Sequence, residues 1–166
     1  MSDKAAKLQF IMLIGLPGSG KSTYVGKYPK HDNTVVLSTD GYIEEKAKEL
    51  GKTYNEIFRD YIDESTKIFN ENIKFAVVER KHIIIDQTNL SEKSRRRKLS
   101  QIPKHYAKFA IFWEPDIDRV WKVNQERHSF GRSLSDPTLQ QMIDNFVFPT
   151  EEEGFDIVIK LSKSAQ

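Results

Sequence analysis

The stretch Gly15-Leu16-Pro17-Gly18-Ser19-Gly20-Lys21-Ser22, followed by Thr23, decides how the rest of the chain is read. Its spacing is G-x-x-x-x-G-K-S, the pattern of a loop that wraps phosphate. The residue types follow from that task. Glycine lets the backbone turn until consecutive N–H groups point inward at phosphate oxygens. A helix that begins at Lys21 aims the positive end of its dipole at the same place. In such a loop Lys21 reaches the β- and γ-phosphates, and the Ser22 hydroxyl ligates Mg²⁺. The cradle is Gly15, Pro17, Gly18, Ser19, Gly20, Lys21, Ser22 and Thr23. A chance match in a turn is the competing reading. The context weakens it, because residues 8–14 (LQFIMLI) form an apolar run of strand length just before the loop. The stretch therefore predicts a site for a nucleoside triphosphate.

Further apolar runs of strand type lie at residues 34–37, 82–85, 107–113 and 155–161. Helical patterns fall between them. Residues 22–28 form a short one that ends before Pro29. Residues 42–80 form the longest, broken near Gly51, in which Tyr54, Ile57, Phe58, Tyr61, Ile68, Phe69, Ile73 and Val77 keep the 3.6-residue period. Ser91 reads as the N-cap of a helix that ends before Pro103. Residues 116–127 and 137–146 complete the set. Alternating strands and helices predict an α/β fold with a mainly parallel five-stranded sheet. With no repeat and no low-complexity linker, residues 1–166 read as one domain with a core at about 8–161. The tail SKSAQ reads as loose.

Composition narrows the partners. Net charge is +2, from 26 basic and 24 acidic residues, so any contact with nucleic acid has to be a local patch. There is no cysteine. That excludes disulfides, thiolate zinc sites and a cysteine nucleophile, and it fits a cytoplasmic setting. His31, His82, His105 and His128 show no ligand spacing, so no zinc is expected. The segment MSDKAAK runs straight into the first strand and leaves no room for a signal peptide. No apolar run approaches membrane-spanning length, so no membrane partner is expected. The sequence assigns no oligomeric state.

In parallel sheets, ligands sit at the carboxyl ends of the strands. The second strand ends in Ser38-Thr39-Asp40, the third in Asp86-Gln87-Thr88-Asn89 and the fourth in Trp113-Glu114-Pro115-Asp116. Asp86 reads as a carboxylate that holds Mg²⁺ through water, or as a plain turn aspartate. Asp40 is placed to accept the proton of an attacking hydroxyl, or to cap the helix that follows. Thr39, Gln87, Thr88 and Asn89 would hydrogen-bond a substrate, or form a bland turn. Arg127 and Arg132 flank His128-Ser129-Phe130-Gly131. On a segment hinged at Gly131 they would close over the phosphates and stabilise transferring charge; the alternative is two solvated arginines. The basic run Arg95-Arg96-Arg97-Lys98 fans around its helix at about 100° per residue. A phosphate-backbone contact and a solvated face both fit it. Trp113, Trp121, Phe109 and Phe112 read as core rather than as base-stacking platforms.

Taken together, GLPGSGKST, STD, IIIDQTNLSEKSRRRK, HSFGR and FVFPTEEEGF resemble the 5′-hydroxyl polynucleotide kinase family of P-loop phosphotransferases. The resemblance runs from about Gln9 to Leu161. The Asp-x-Thr-Asn after the third strand and the Phe-x-x-Pro-x-x-x-Glu-Gly-Phe ending are its narrower marks. It implies a three-layer P-loop kinase-like fold with the phosphate-loop strand central and an arginine-bearing lid. It implies ATP and Mg²⁺ as cofactors, held through Lys21, Ser22 and Asp86. It implies Asp40 as general base, Arg132 or Arg127 as the lid arginine, and the 5′-hydroxyl end of DNA or RNA as the acceptor, in nucleic acid repair. Some members carry an arginine shortly after the base that touches substrate phosphate. Gly41-Tyr42-Ile43 supplies none, which leaves that grip to another residue. The Asp-x-Asp-Gly-Thr signature of the phosphatase module in bifunctional members is absent, so a kinase alone is expected. A small-molecule kinase acting on a sugar, nucleoside or related metabolite is the alternative that near-neutral charge favours. A nucleotide-binding module with little catalysis is the third; it would need no acid at Asp40.

Overall fold

The computed structural model describes residues 6–162; the expectation for the tail falls almost wholly outside them. In chain order the elements are β1 (Gln9–Ile14), α1 (Lys21–Lys27), β2 (Thr34–Leu37), α2 (Asp40–Leu50), α3 (Tyr54–Val78), β3 (His82–Ile85), α4 (Glu92–Leu99), β4 (Ala107–Trp113), α5 (Ile117–Arg127), α6 (Asp136–Asp144) and β5 (Ile157–Leu161), with 3-10 turns at His128–Phe130 and Glu151–Glu153. β1 is apolar at every position after Gln9, as a strand covered on both faces must be. The sheet order is β2-β3-β1-β4-β5, and all four pairings are parallel. The phosphate-loop strand is thus central.

Strand alternation divides the core in two. Phe10, Met12 and Ile14 pack with Phe69 and Ile73 of α3 and Leu99 of α4. Ile11 and Leu13 pack on the other face with Ile84, Ile111, Trp113 and Tyr24 of α1. Helices therefore cover both faces, which gives three layers. The long helical pattern splits where expected. Gly51 ends α2 in the left-handed region at φ 64. A capping box then opens α3: Thr53 N–H donates to Glu56 Oε2 at 2.5 Å, and Glu56 N–H to Thr53 Oγ1 at 3.4 Å.

Within the basic run on α4, Arg96 and Arg97 are exposed, as a solvated face would have them, and Arg95 departs from both readings. Arg95 is fully buried. Its Nε and Nη2 donate to the two carboxylate oxygens of Glu153, both at 2.7 Å. Its Nη1 donates to the carbonyls of Asn89, Leu90 and Val147, each at 3.0 Å. Arg95 is neither a solvated side chain nor a phosphate contact. It bolts α4 to the Glu151–Glu153 turn and to the segment after α6. Arg96 pairs with Glu92 one turn back at 2.5 Å.

Candidate active site

The phosphate loop leaves the buried end of β1 and turns into α1. Gly18 stands at φ +80, and a Cβ there would lie 2.7 Å from Val123 Cγ1 of α5, so no other residue fits. Gly15 N–H donates to the Thr88 carbonyl at 3.0 Å, which ties the loop to the segment after β3. Lys21 opens α1 and is buried. Its ammonium donates to the carbonyls of Gly15 at 2.8 Å and Leu16 at 2.9 Å. Burial pulls its pKa down to about 8, against the opposing charges of Asp86 and Asp40. Ser22 Oγ donates to Asp86 Oδ2 at 3.4 Å, so the two residues read as metal ligands lie side by side. Burial raises the Asp86 pKa, and Lys21 opposes that rise. The pair is a hard-oxygen donor set of the kind Mg²⁺ takes. Among the described residues no group of three or more His, Cys, Asp and Glu is arranged as a metal cage; a Mg²⁺ ion here would complete its shell with phosphate and water.

Asp40 is the first residue of α2, and its side chain does not cap that helix; Thr39 is the N-cap residue. The capping alternative is therefore not what the fold uses. Instead, Asp40 Oδ1 accepts from the Tyr54 hydroxyl at 2.7 Å. Asp40 Oδ2 lies 3.5 Å from Arg132 Nη2. Arg132 also pairs with Glu44 and lies over the Tyr54 ring, 4.5 Å from its centroid. Burial lowers the Arg127 pKa, and the nearby Arg132 lowers it further. Neither Tyr54 nor Glu44 stood out in the sequence. The signal for Tyr54 was indirect: the T-x-x-E cap places it in the first turn of α3.

Two cavities meet here. One of about 540 Å³ lies over Lys21, Ser22 and Asp86. The other, of about 650 Å³, is walled by Tyr54, Phe58, Lys98 and Met142. Pro17, Asp40, Gln87, Thr88, Arg127 and Arg132 line both. Thr39 and Gln87 are linked, Gln87 Nε2 donating to Thr39 Oγ1 at 3.1 Å. Gln87 Oε1 is buried with no hydrogen-bond partner among the described residues.

One expectation needs correction. Asn89 was read as a substrate contact, but its side chain is taken up by the fold. Its Nδ2 donates to the Leu13 carbonyl at 2.7 Å, its Oδ1 accepts from Lys98 Nζ at 2.5 Å, and it holds a left-handed φ of 50. Asparagine tolerates that conformation, so Asn89 staples the segment after β3 to β1. Gly131, read as a hinge, also sits at a φ of +65 against α3, where only glycine fits. A Cβ there would lie 2.5 Å from Thr53 Cβ, and its carbonyl accepts from Asn55 N–H at 3.1 Å.

The sequence model of a family described as AAA domain matches residues 10–149. A protein of Acanthamoeba polyphaga mimivirus, provisionally named a bifunctional polynucleotide phosphatase/kinase, is 29% identical over 159 residues, 92% of this chain and 33% of that protein. The chain thus spans about a third of the length of that curated relative. Among solved structures, the Pnkp1/Rnl/Hen1 RNA repair complex aligns at TM-score 0.66 and 20% identity, over 87% of this chain and 45% of the other. A Chloroflexus aurantiacus protein, provisionally described as a kinase, aligns at TM-score 0.64 and 15% identity, over 96% and 91%. The fold is that of P-loop kinases, and the resemblance to a polynucleotide kinase domain stands.

Proposed function

We propose that this chain, which belongs to the AAA domain family, moves the γ-phosphate of ATP to a 5′-hydroxyl end of DNA or RNA. The observation that carries the reading is Asp40, a carboxylate on the boundary of both cavities with Arg127 and Arg132 beside it. A nucleotide-binding module without chemistry has no need of that carboxylate.

Phosphoryl transfer asks a protein mainly for positioning and charge stabilisation. Lys21 and the inward N–H groups of the loop hold the β- and γ-phosphates. A Mg²⁺ ion on Ser22 and Asp86 would neutralise phosphate charge. Asp40 accepts the proton of the acceptor hydroxyl and holds its oxygen in line. Tyr54 fixes the carboxylate through Oδ1, and Oδ2, 3.5 Å from Arg132 Nη2, is the oxygen offered to the hydroxyl. Arg132 and Arg127 stabilise charge on the transferring group. Thr39, Gln87 and Thr88 sit where an acceptor would lie. The names of the mimivirus relative and of the RNA repair complex support a nucleic acid acceptor. The name of the complex also supports a role in repair, for which a cytoplasmic setting is proposed. Among the described residues no helix is long and apolar enough to cross a membrane.

The net charge of +2 favours the second reading, a small-molecule kinase. Incubation with γ-labelled ATP and a panel of 5′-hydroxyl DNA and RNA oligonucleotides, nucleosides and sugars separates the two. Label is expected on oligonucleotides, with activity falling as salt rises because phosphate contacts release counterions. Label on a sugar or nucleoside and on no oligonucleotide overturns the proposal.

A further inference from the structure

Lys98 is the one sheltered member of the basic run that has no carboxylate partner among the described residues; Arg97 is exposed. Arg95 is committed to Glu153 and Arg96 to Glu92. The Lys98 ammonium donates to Asn89 Oδ1 at 2.5 Å and to Ser94 Oγ at 3.0 Å. Both partners are neutral, and an ammonium has a third proton to give. Among the described residues no carboxylate pairs with Lys98, and its charged neighbours are Arg97 and Arg95. Burial pulls its pKa down to about 8. A half-sheltered cation without a counter-ion is costly to keep. Perturbed groups of this kind gather at functional sites.

Its position says what the cation faces. Lys98 lines the second cavity, the one that ends at Asp40. Tyr54, Phe58, Leu134 and Met142 line the same cavity and give it an apolar and aromatic surface suited to a nucleoside. The cavity thus offers a carboxylate for a hydroxyl, an apolar wall and, besides the Arg127 and Arg132 that it shares with the phosphate cavity, the ammonium of Lys98. Asn89 fixes the aim, because its own side chain is fastened to β1 through the Leu13 carbonyl.

We propose that Lys98 is the anion anchor of the acceptor site. It grips the phosphodiester that follows the reacting nucleoside, so the acceptor is a phosphate-bearing 5′-hydroxyl end and not a neutral sugar or free nucleoside. This rests on the kinase reading above and names the group that selects its substrate.

The test uses two 5′-hydroxyl oligonucleotides that differ only in the first linkage, a phosphodiester in one and an uncharged methylphosphonate in the other. Equilibrium binding of each, ATP affinity, phosphate transfer and melting temperature are measured for the wild type, Lys98→Met and Lys98→Arg. Wild type is expected to prefer the phosphodiester by about ten- to a hundredfold, the range of a charge-assisted hydrogen bond. Lys98→Met should erase that preference, Lys98→Arg should keep most of it, and ATP affinity should not move. A Lys98→Met protein that keeps the full preference overturns the anchor. So does a wild type that transfers phosphate to both oligonucleotides equally, which leaves the kinase reading intact. A wild type with the preference but no transfer to any oligonucleotide keeps the anchor and removes the polynucleotide kinase reading. A wild type that binds neither removes both.

Discussion

The wall that holds Lys21 and the wall that holds Lys98 are built in opposite ways. The first is nine consecutive residues, 15–23, at the end of one buried strand. Lys21 makes its hydrogen bonds within that stretch, to Gly15, Leu16 and Ser19. The second is assembled from distant parts. Asp40 meets Tyr54 across 14 positions, Arg132 meets Glu44 across 88, and Arg95 meets Glu153 across 58. One wall is a property of a local sequence. The other is a property of the finished tertiary structure, so damage far from the chemistry reaches it.

Lys21→Ala breaks the local wall outright. With the buried ammonium gone from the loop, phosphate transfer should fall below detection while the melting temperature holds; near-normal turnover would remove the phosphate-loop reading. On the distributed wall, Asp40→Asn keeps the size of the side chain and its bond to Tyr54 but removes the basicity. Its kcat should fall by about 10² to 10⁴, the range for general acid–base groups, with ATP affinity nearly unchanged. Wild-type turnover in that variant takes Asp40 out of the mechanism. Glu153→Gln strips the buried Arg95 of its counter-charge and should cost about 3–5 kcal/mol in urea unfolding. Stability within about 1 kcal/mol of wild type would show that the bolt carries little of the fold.

Tyr54→Phe removes one hydrogen bond from the base and keeps the ring under Arg132. A kcat lower by about tenfold, with binding of ATP unchanged, is expected; an unaltered kcat would mean Asp40 needs no such hold. The smallest effect is on stability against pH. Lys21 and Lys98 both have pKa values lowered to about 8 from 10.5. The unfolded chain keeps these protons to higher pH than the folded one, so each lysine makes stability rise with pH from about 8 upward. Between pH 7 and pH 9.5, wild type should gain stability relative to Lys98→Met; equal slopes would show that Lys98 is not desolvated.

The difference between the walls also explains what could be read ahead of the structure. Four of the five strands fall within one residue of their expected bounds, because buried parallel strands are written as unbroken apolar runs. β5 begins two residues late, at Ile157, since Phe155 faces the core from the turn before it. Lys21, Ser22 and Asp86 come together as their spacing implied. Arg95 and Lys98 could not be told from Arg96 and Arg97 by sequence. Burial within a run of four cations depends on which way the helix is rotated against Glu153 and Asn89, and those partners are set by tertiary packing. Asn89 was legible as part of a motif but not as a staple, because the carbonyl it binds lies on β1.

The strand order has a consequence in time. β1 is the first strand in the chain, yet both of its neighbours, β3 and β4, come much later, at residues 82–85 and 107–113. β2 pairs only with β3. A growing chain that has reached residue 80 therefore holds two strands and no ladder to join them. Non-local pairing of this kind closes slowly, and it leaves hydrophobic strands uncovered while it waits. During synthesis, the apolar segment FIMLI and the glycine-rich loop behind it stay unsupported until more than half the chain has been made. The part of the site easiest to recognise in the sequence thus depends on strands made long after it.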